Sequence, residues 1–273
     1  LIILTTLVVL AVAVYGFRKN KKQFKTLMLI IGIAIIIPLT CIAANVLKLN
    51  IETNVTIIGV DKCLANRFAI DNWETIATNV KNGNMCGYHV GDEKEIELTG
   101  FGKHNVRISN VSACESETSK TACGFVIEFV DIITRYQFNS SGLNVGGWRD
   151  TKVRTYINET IYKSLPRDLQ NIILTTKVIS SYGKYDSANF ETEDKLYLLS
   201  SEEVFGDFAT SSMADNDTSV GTSKQLDYYK NQRVTLSNFE ESIKQYEGNN
   251  GYWWLRSVSA DAWTVYDVAN TRG

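Results

Sequence analysis

The hydrophobic pattern divides the chain into two unequal parts. Leu1 to Phe17 and Leu27 to Leu47 are almost unbroken apolar sequence. Runs of about 20 such residues are long enough to cross a bilayer core as helices, and Pro38 in the second run is tolerated there. Arg18, Lys19, Lys21, Lys22 and Lys25 fill the gap with no acid among them, as short cytoplasmic loops do. A secretory signal would carry its charge before the apolar stretch rather than after it. Residues 1–48 are therefore expected to form a transmembrane hairpin with a truncated first span. The lipid bilayer is the expected partner of this part, which places residues 49–273 outside the cytoplasm.

Beyond the second run the pattern breaks into short amphipathic segments. Residues 49–70 read as a linker and 71–273 as one extracytoplasmic domain. Asp71 followed by Glu74 resembles a capping box, and Trp73, Ile76, Ala77 and Val80 continue at helical spacing, so a helix is expected over Asp71–Asn82. Glu93–Thr99 and Asn105–Val111 alternate as half-buried strands do, with a hairpin turn at Gly100-Phe-Gly102. Phe125–Phe138, rich in β-branched and aromatic residues, predicts a long strand or a strand pair. Asp150 is placed to cap a helix in which Val153, Ile157, Ile161 and Leu165 recur every four residues. Pro166 opens another helix reaching Ile173.

Lys177–Ser180 and Lys195–Leu199 read as strands. Ser200-Ser-Glu-Glu203 and Ser237-Asn-Phe-Glu240 are further capping-box patterns, the second heading a helix with Phe239, Ile243 and Tyr246 on one face. Asp207–Thr222 reads as a surface loop. Tyr252–Ser257 and Thr264–Val268 read as the last strands. Helices and strands alternate without a βαβ rhythm, so the fold class is α+β: two transmembrane helices, then one mixed, mainly antiparallel sheet with short flanking helices.

Charge and cysteine content sharpen this picture. Residues 1–48 hold six basic side chains and no acid, leaving 22 basic and 30 acidic ones beyond them, a net of −8. Such a surface repels phosphate backbones, so nucleic acid is not an expected partner. Four cysteines lie outside the apolar runs. In an oxidising compartment they are expected to pair. Cys114 and Cys123 flank a polar loop and suit a loop-closing disulfide, which leaves Cys63 with Cys86.

Several ordered blocks then carry a resemblance. They are Asn144-Val-Gly-Gly-Trp-Arg-Asp150, Arg154-Thr-Tyr-Ile-Asn158, Asp194-Lys-Leu-Tyr-Leu-Leu-Ser200 with Glu203-Val204, Gln225-Leu-Asp-Tyr-Tyr229 and Tyr252-Trp-Trp-Leu-Arg-Ser257. With Val90-Gly-Asp92 and Thr121-Ala-Cys-Gly-Phe-Val126 upstream, the stretch from about Trp73 onward resembles the bacterial domain-of-unknown-function family numbered 6273. The resemblance implies a secreted or surface-tethered bacterial domain with no established activity. The Trp-Leu-Arg-Ser ending is similar to C-type-lectin-like folds, where residues after such a strand face ligands. That likeness concerns fold and is a weak warrant for function. Domains of this kind usually continue into a closing strand, so the chain is expected to be clipped at Gly273.

No catalytic or metal-binding motif stands out: no G-x-S-x-G, no H-E-x-x-H and no phosphate loop. His89 and His104 read as solvent-facing strand residues, and Asp215-Asn-Asp217 as a solvated loop rather than a calcium site. Glu203 has a capping role that needs no chemistry. Trp253 and Trp254 point to opposite faces of their strand, one toward the core and one available to stack on a sugar or aromatic ligand. Arg256 is expected as a structural arginine paired with an acid. Trp254, Ser259, Asp261, Trp263, Tyr266, Asp267 and Asn270 are the expected ligand contacts, mixing aromatic and small polar types as adaptable surfaces do. No cofactor, metal or catalytic residue is expected. The leading expectation is recognition of a glycan or protein at a bacterial surface. The rivals are an extracytoplasmic enzyme acting on cell-envelope material and a structural subunit of an envelope complex.

Overall fold

A computed structural model of the protein describes Cys63 and residues 65–206, 218–260 and 265–268. The chain divides into two compact units, Leu1–Lys62 and Cys63–Gly273. The second unit begins at Cys63, within the stretch expected as linker.

The α+β class holds, but the expected architecture is corrected on two counts. Among the described residues no helix is long and apolar enough to cross a membrane, and both apolar runs lie outside those residues. Among the described residues, moreover, the strands form four antiparallel sheets rather than one.

The second unit opens with α1 (Arg67–Ile70) and α2 (Trp73–Lys81). Asn72, not Asp71, caps α2, its side chain accepting from the Thr75 backbone N–H at 2.8 Å. Asp71 is engaged elsewhere: its carboxylate takes Arg67 at 2.7 Å and the Tyr88 hydroxyl at 2.5 Å. The strands β1 (Glu93–Leu98), β2 (Gly102–Asn110) and β3 (Val126–Phe129) form a sheet in that order. Gly100 and Gly102, both at φ +84°, make the expected turn between β1 and β2. Only four residues of the Phe125–Phe138 run enter the sheet.

Thr151, not Asp150, caps α3 (Lys152–Tyr156); Asp150 ends a preceding 3-10 turn, Gly147–Asp150. A π-helical turn, Ile157–Ile161, carries α3 into the short α4 (Tyr162–Ser164), and α5 (Arg167–Ile172) follows Pro166 as expected. These helices close the first core over β1 and β2, around Phe68, Trp73, Ile76, Ile96, Leu98, Ile108 and Leu169.

A second sheet pairs β4 (Thr176–Ser180) with β5 (Phe190–Asp194), so the strand expected at Lys195–Leu199 falls earlier. Next come α6 (Ser201–Phe205) and α7 (Asp227–Asn231). The helix expected after Ser237 is instead a 3-10 turn, Glu240–Ser242, and a hairpin of β6 (Lys244–Tyr246) and β7 (Asn249–Gly251). Glu247 and Gly248 at φ +52° and +78° give the two-residue turn whose twist suits a hairpin. A local β turn thus overrides a helical spacing of apolar residues.

Finally, β8 (Trp253–Val258) pairs with β9 (Val265–Val268), with a register irregularity between Trp254 and Val258. Two further cores lie on this side, around Leu226, Tyr229 and Leu255 and around Trp148, Val178 and Val258. Buried β8 shows why the sheets stay separate, because side chains and coil satisfy polar groups that a neighbouring strand would otherwise meet. The Arg256 N–H donates to the Leu199 carbonyl at 2.8 Å, and the Val258 N–H to the Ser181 hydroxyl at 2.6 Å. The Ser257 hydroxyl accepts from the Ser201 N–H at 3.0 Å.

Both expected disulfides are present, Cys63–Cys86 and Cys114–Cys123.

Candidate functional site

Alternation along β8 sets up the site. Trp253 turns inward, its indole N–H reaching the Ser242 carbonyl at 3.0 Å. Trp254 turns outward and is 38% exposed. It lies opposite Asp267 in the β8–β9 register, and directly opposed residues of an antiparallel pair share a face with their Cβ atoms roughly 5 Å apart. Asp267 is itself exposed. The packing around it strips enough water to push its carboxyl above the usual Asp range. It has no ion-pair partner among the described residues.

A segment outside the sheets completes the surface. The Trp254 indole N–H donates to the Tyr136 carbonyl at 3.1 Å, and Phe138 meets the indole edge-on at 5.8 Å. The Tyr136 ring lies parallel on Tyr156, 3.9 Å apart at 6°, and is 38% exposed. One face of the Tyr136 ring is covered by Tyr156. Tyr252, two positions before Trp254, is also exposed.

Of the expected contacts, the structure therefore brings Trp254 and Asp267 together. Ser259 is buried at 1% exposure, with its carbonyl held by the Asn144 amide at 2.9 Å. Asp261, Trp263 and Asn270 lie outside the described residues, as does the side chain of Tyr266, whose backbone belongs to β9. Tyr136 and Tyr156 were not foreseen. The aromatic content of Phe125–Phe138 was visible, but it read as strand, and only tertiary packing lays Tyr136 against α3.

Other polar groups of the unit are already committed to structure. Arg256 and Glu203 are fully buried and form a two-pronged pair at 2.6 and 2.5 Å, which meets the expectation of an arginine held by an acid. Glu203 also accepts from the Thr121 and Ser223 hydroxyls and the Ser200 N–H, and closes the expected capping box of α6. Burial alone would raise its pKa, yet the Arg256 charge and these donors hold the carboxyl below the usual Glu range.

A second buried cluster joins Glu128 to Arg107 at 3.0 Å and to Lys244 at 2.9 Å, with the Tyr229 hydroxyl donating at 2.9 Å. Burial again opposes ionisation, and the two cations outweigh it, keeping Glu128 low. Asp194 takes Arg154, Thr192 and the Trp148 indole N–H.

No group of His, Cys, Asp and Glu suited to a metal occurs among the described residues. His89 is half exposed beside Asp92 in a turn, not a strand. His104 lies partly buried in β2, within reach of the Phe101 carbonyl. A shallow depression of about 420 Å3 lies beside the first core and is lined by Thr99, Lys163, Leu165, Pro166, Arg167 and Gln170. It shares no residue with the expected site.

No curated protein and no solved structure matches this chain. Residues 125–273 match the family described as Domain of unknown function (DUF6273). That span holds α3 to α7, every strand from β3 onward and the surface around Trp254, while the upstream resemblance blocks between Val90 and Gly124 fall outside. The chain belongs to the DUF6273 family.

Proposed function

We propose that the domain recognises a ligand, without catalysis, on the outer face of β8 and β9, and that it works outside the cytoplasm. One observation carries the reading: Trp254 is turned to solvent from a strand whose next four residues are buried. A large aromatic held outward on a rigid element supplies contact area at little entropic cost. Asp267 adds a polar group whose hydration is already reduced. The two disulfides support an oxidising compartment. A lectin-like fold fits a ligand face at this strand, and it stands here as part of the proposal.

The test is retention of labelled chain on bacterial cells and on immobilised glycans and proteins. Trp254→Ala and Asp267→Ala are expected to abolish retention while leaving both disulfides formed. Unchanged retention by both variants would sink the assignment. Turnover of cell-envelope material that is lost on changing one acid would replace it with the enzymatic reading.

A further inference from the structure

Resting on that reading, we infer that the ligand is a neutral saccharide, gripped by Trp254 and Tyr136 with Asp267 as acceptor for its hydroxyls. The two aromatics form one preorganised unit. The Trp254 indole N–H is bound to the Tyr136 carbonyl, and the Tyr136 ring is held parallel to Tyr156. Phe138 supports the indole from its edge. Fixing these rings beforehand spares the ordering cost that a mobile pair would incur on binding.

The chemistry on the face selects the class. Aromatic faces carry negative quadrupole density, which attracts the polarised C–H bonds on one side of a pyranose. Sugar hydroxyls are donors, and Asp267 is an acceptor with no cation beside it among the described residues. An anionic ligand would meet Asp267 unfavourably. The acceptor carboxylate and the two ring faces together suit a ligand that brings hydroxyl donors and polarised C–H bonds, as a neutral saccharide does.

The experiment applies the full chain to an array of neutral hexose and N-acetylhexosamine oligomers, with unglycosylated peptides and immobilised trimethylammonium groups beside them. Retention on at least one neutral oligosaccharide is expected. Trp254→Ala and Tyr136→Ala should each weaken it roughly tenfold or more, the scale of about 1.4 kcal/mol. Asp267→Asn should weaken it, and Trp254→Phe should retain part of it if the fold is intact. Retention on peptides or trimethylammonium alone, still sensitive to Trp254, overturns the saccharide and keeps the recognition face. Saccharide retention indifferent to Trp254 and Tyr136 overturns both.

Discussion

Replacing Glu203 by glutamine tests the account of what holds the face in place. The change keeps shape and removes one charge. Arg256 would then sit at 0% exposure with no carboxylate, while Thr121, Ser223 and the Ser200 N–H would share a weaker acceptor. Breaking one side of a buried pair costs about 3–5 kcal/mol, because the remaining charge is left uncompensated. Part of the α6 cap, worth about 1 kcal/mol, lies within that figure. With a urea slope of roughly 2 kcal/mol per M, the midpoint should fall by about 1.5–2.5 M at unchanged slope. Tryptophan fluorescence during urea titration of the disulfide-intact protein reads this directly. Substituting Arg256→Met as well should recover much of the loss, since an apolar pair of similar volume is often neutral at such sites. A Glu203→Gln midpoint within about 0.3 M of the parent would refute the reasoning. So would a double variant that is no better than the single.

Other perturbations draw on the same physics. Glu128 has a folded pKa below its unfolded one, so its contribution is present above the unfolded value of about 4.3 and is lost as pH falls through the folded value. Denaturation midpoints in Glu128→Gln should therefore lose this component of the parent's fall as pH drops below the unfolded value. From separations of 23 and 9 residues, loop-closure entropy assigns about 3.4 kcal/mol to Cys63–Cys86 and about 2.7 kcal/mol to Cys114–Cys123. The paired serine variants, compared by urea titration, should rank in that order. Gly147 lies at φ +49°, and a Cβ there would run into the Ser181 carbonyl. Alanine there should cost more than about 2 kcal/mol, against about 1 kcal/mol at Gly83, where the left-handed φ is alike but the space is open. Equal losses would count against the close approach.

Much of the local structure was legible because it rests on neighbours in the chain. The Gly100-Phe-Gly102 turn, the capping box at Ser200 and Glu203, and the opposite directions of Trp253 and Trp254 each follow from spacings of one to three residues. The cysteine pairing followed from the polar loop that Cys114 and Cys123 flank, which left Cys63 with Cys86 among the four outside the apolar runs. What the sequence left undecided turned on competing local signals and on partners far away in the chain. Asp71 fitted the capping pattern through Glu74, but Arg67 and Tyr88 took its carboxylate and Asn72 caps the helix instead. Phe239, Ile243 and Tyr246 kept a helical period, yet Glu247-Gly248 turned that stretch into a hairpin. The site itself is the clearest case. Trp254 was visible as an aromatic on one strand face, whereas its link to Tyr136 spans 118 residues. No periodicity extends that far, since a pattern records which face is apolar and not which face it meets. Tertiary packing alone set Tyr136 on Tyr156, buried Ser259, and gave Arg256 the acid that allows a charge to remain in the core.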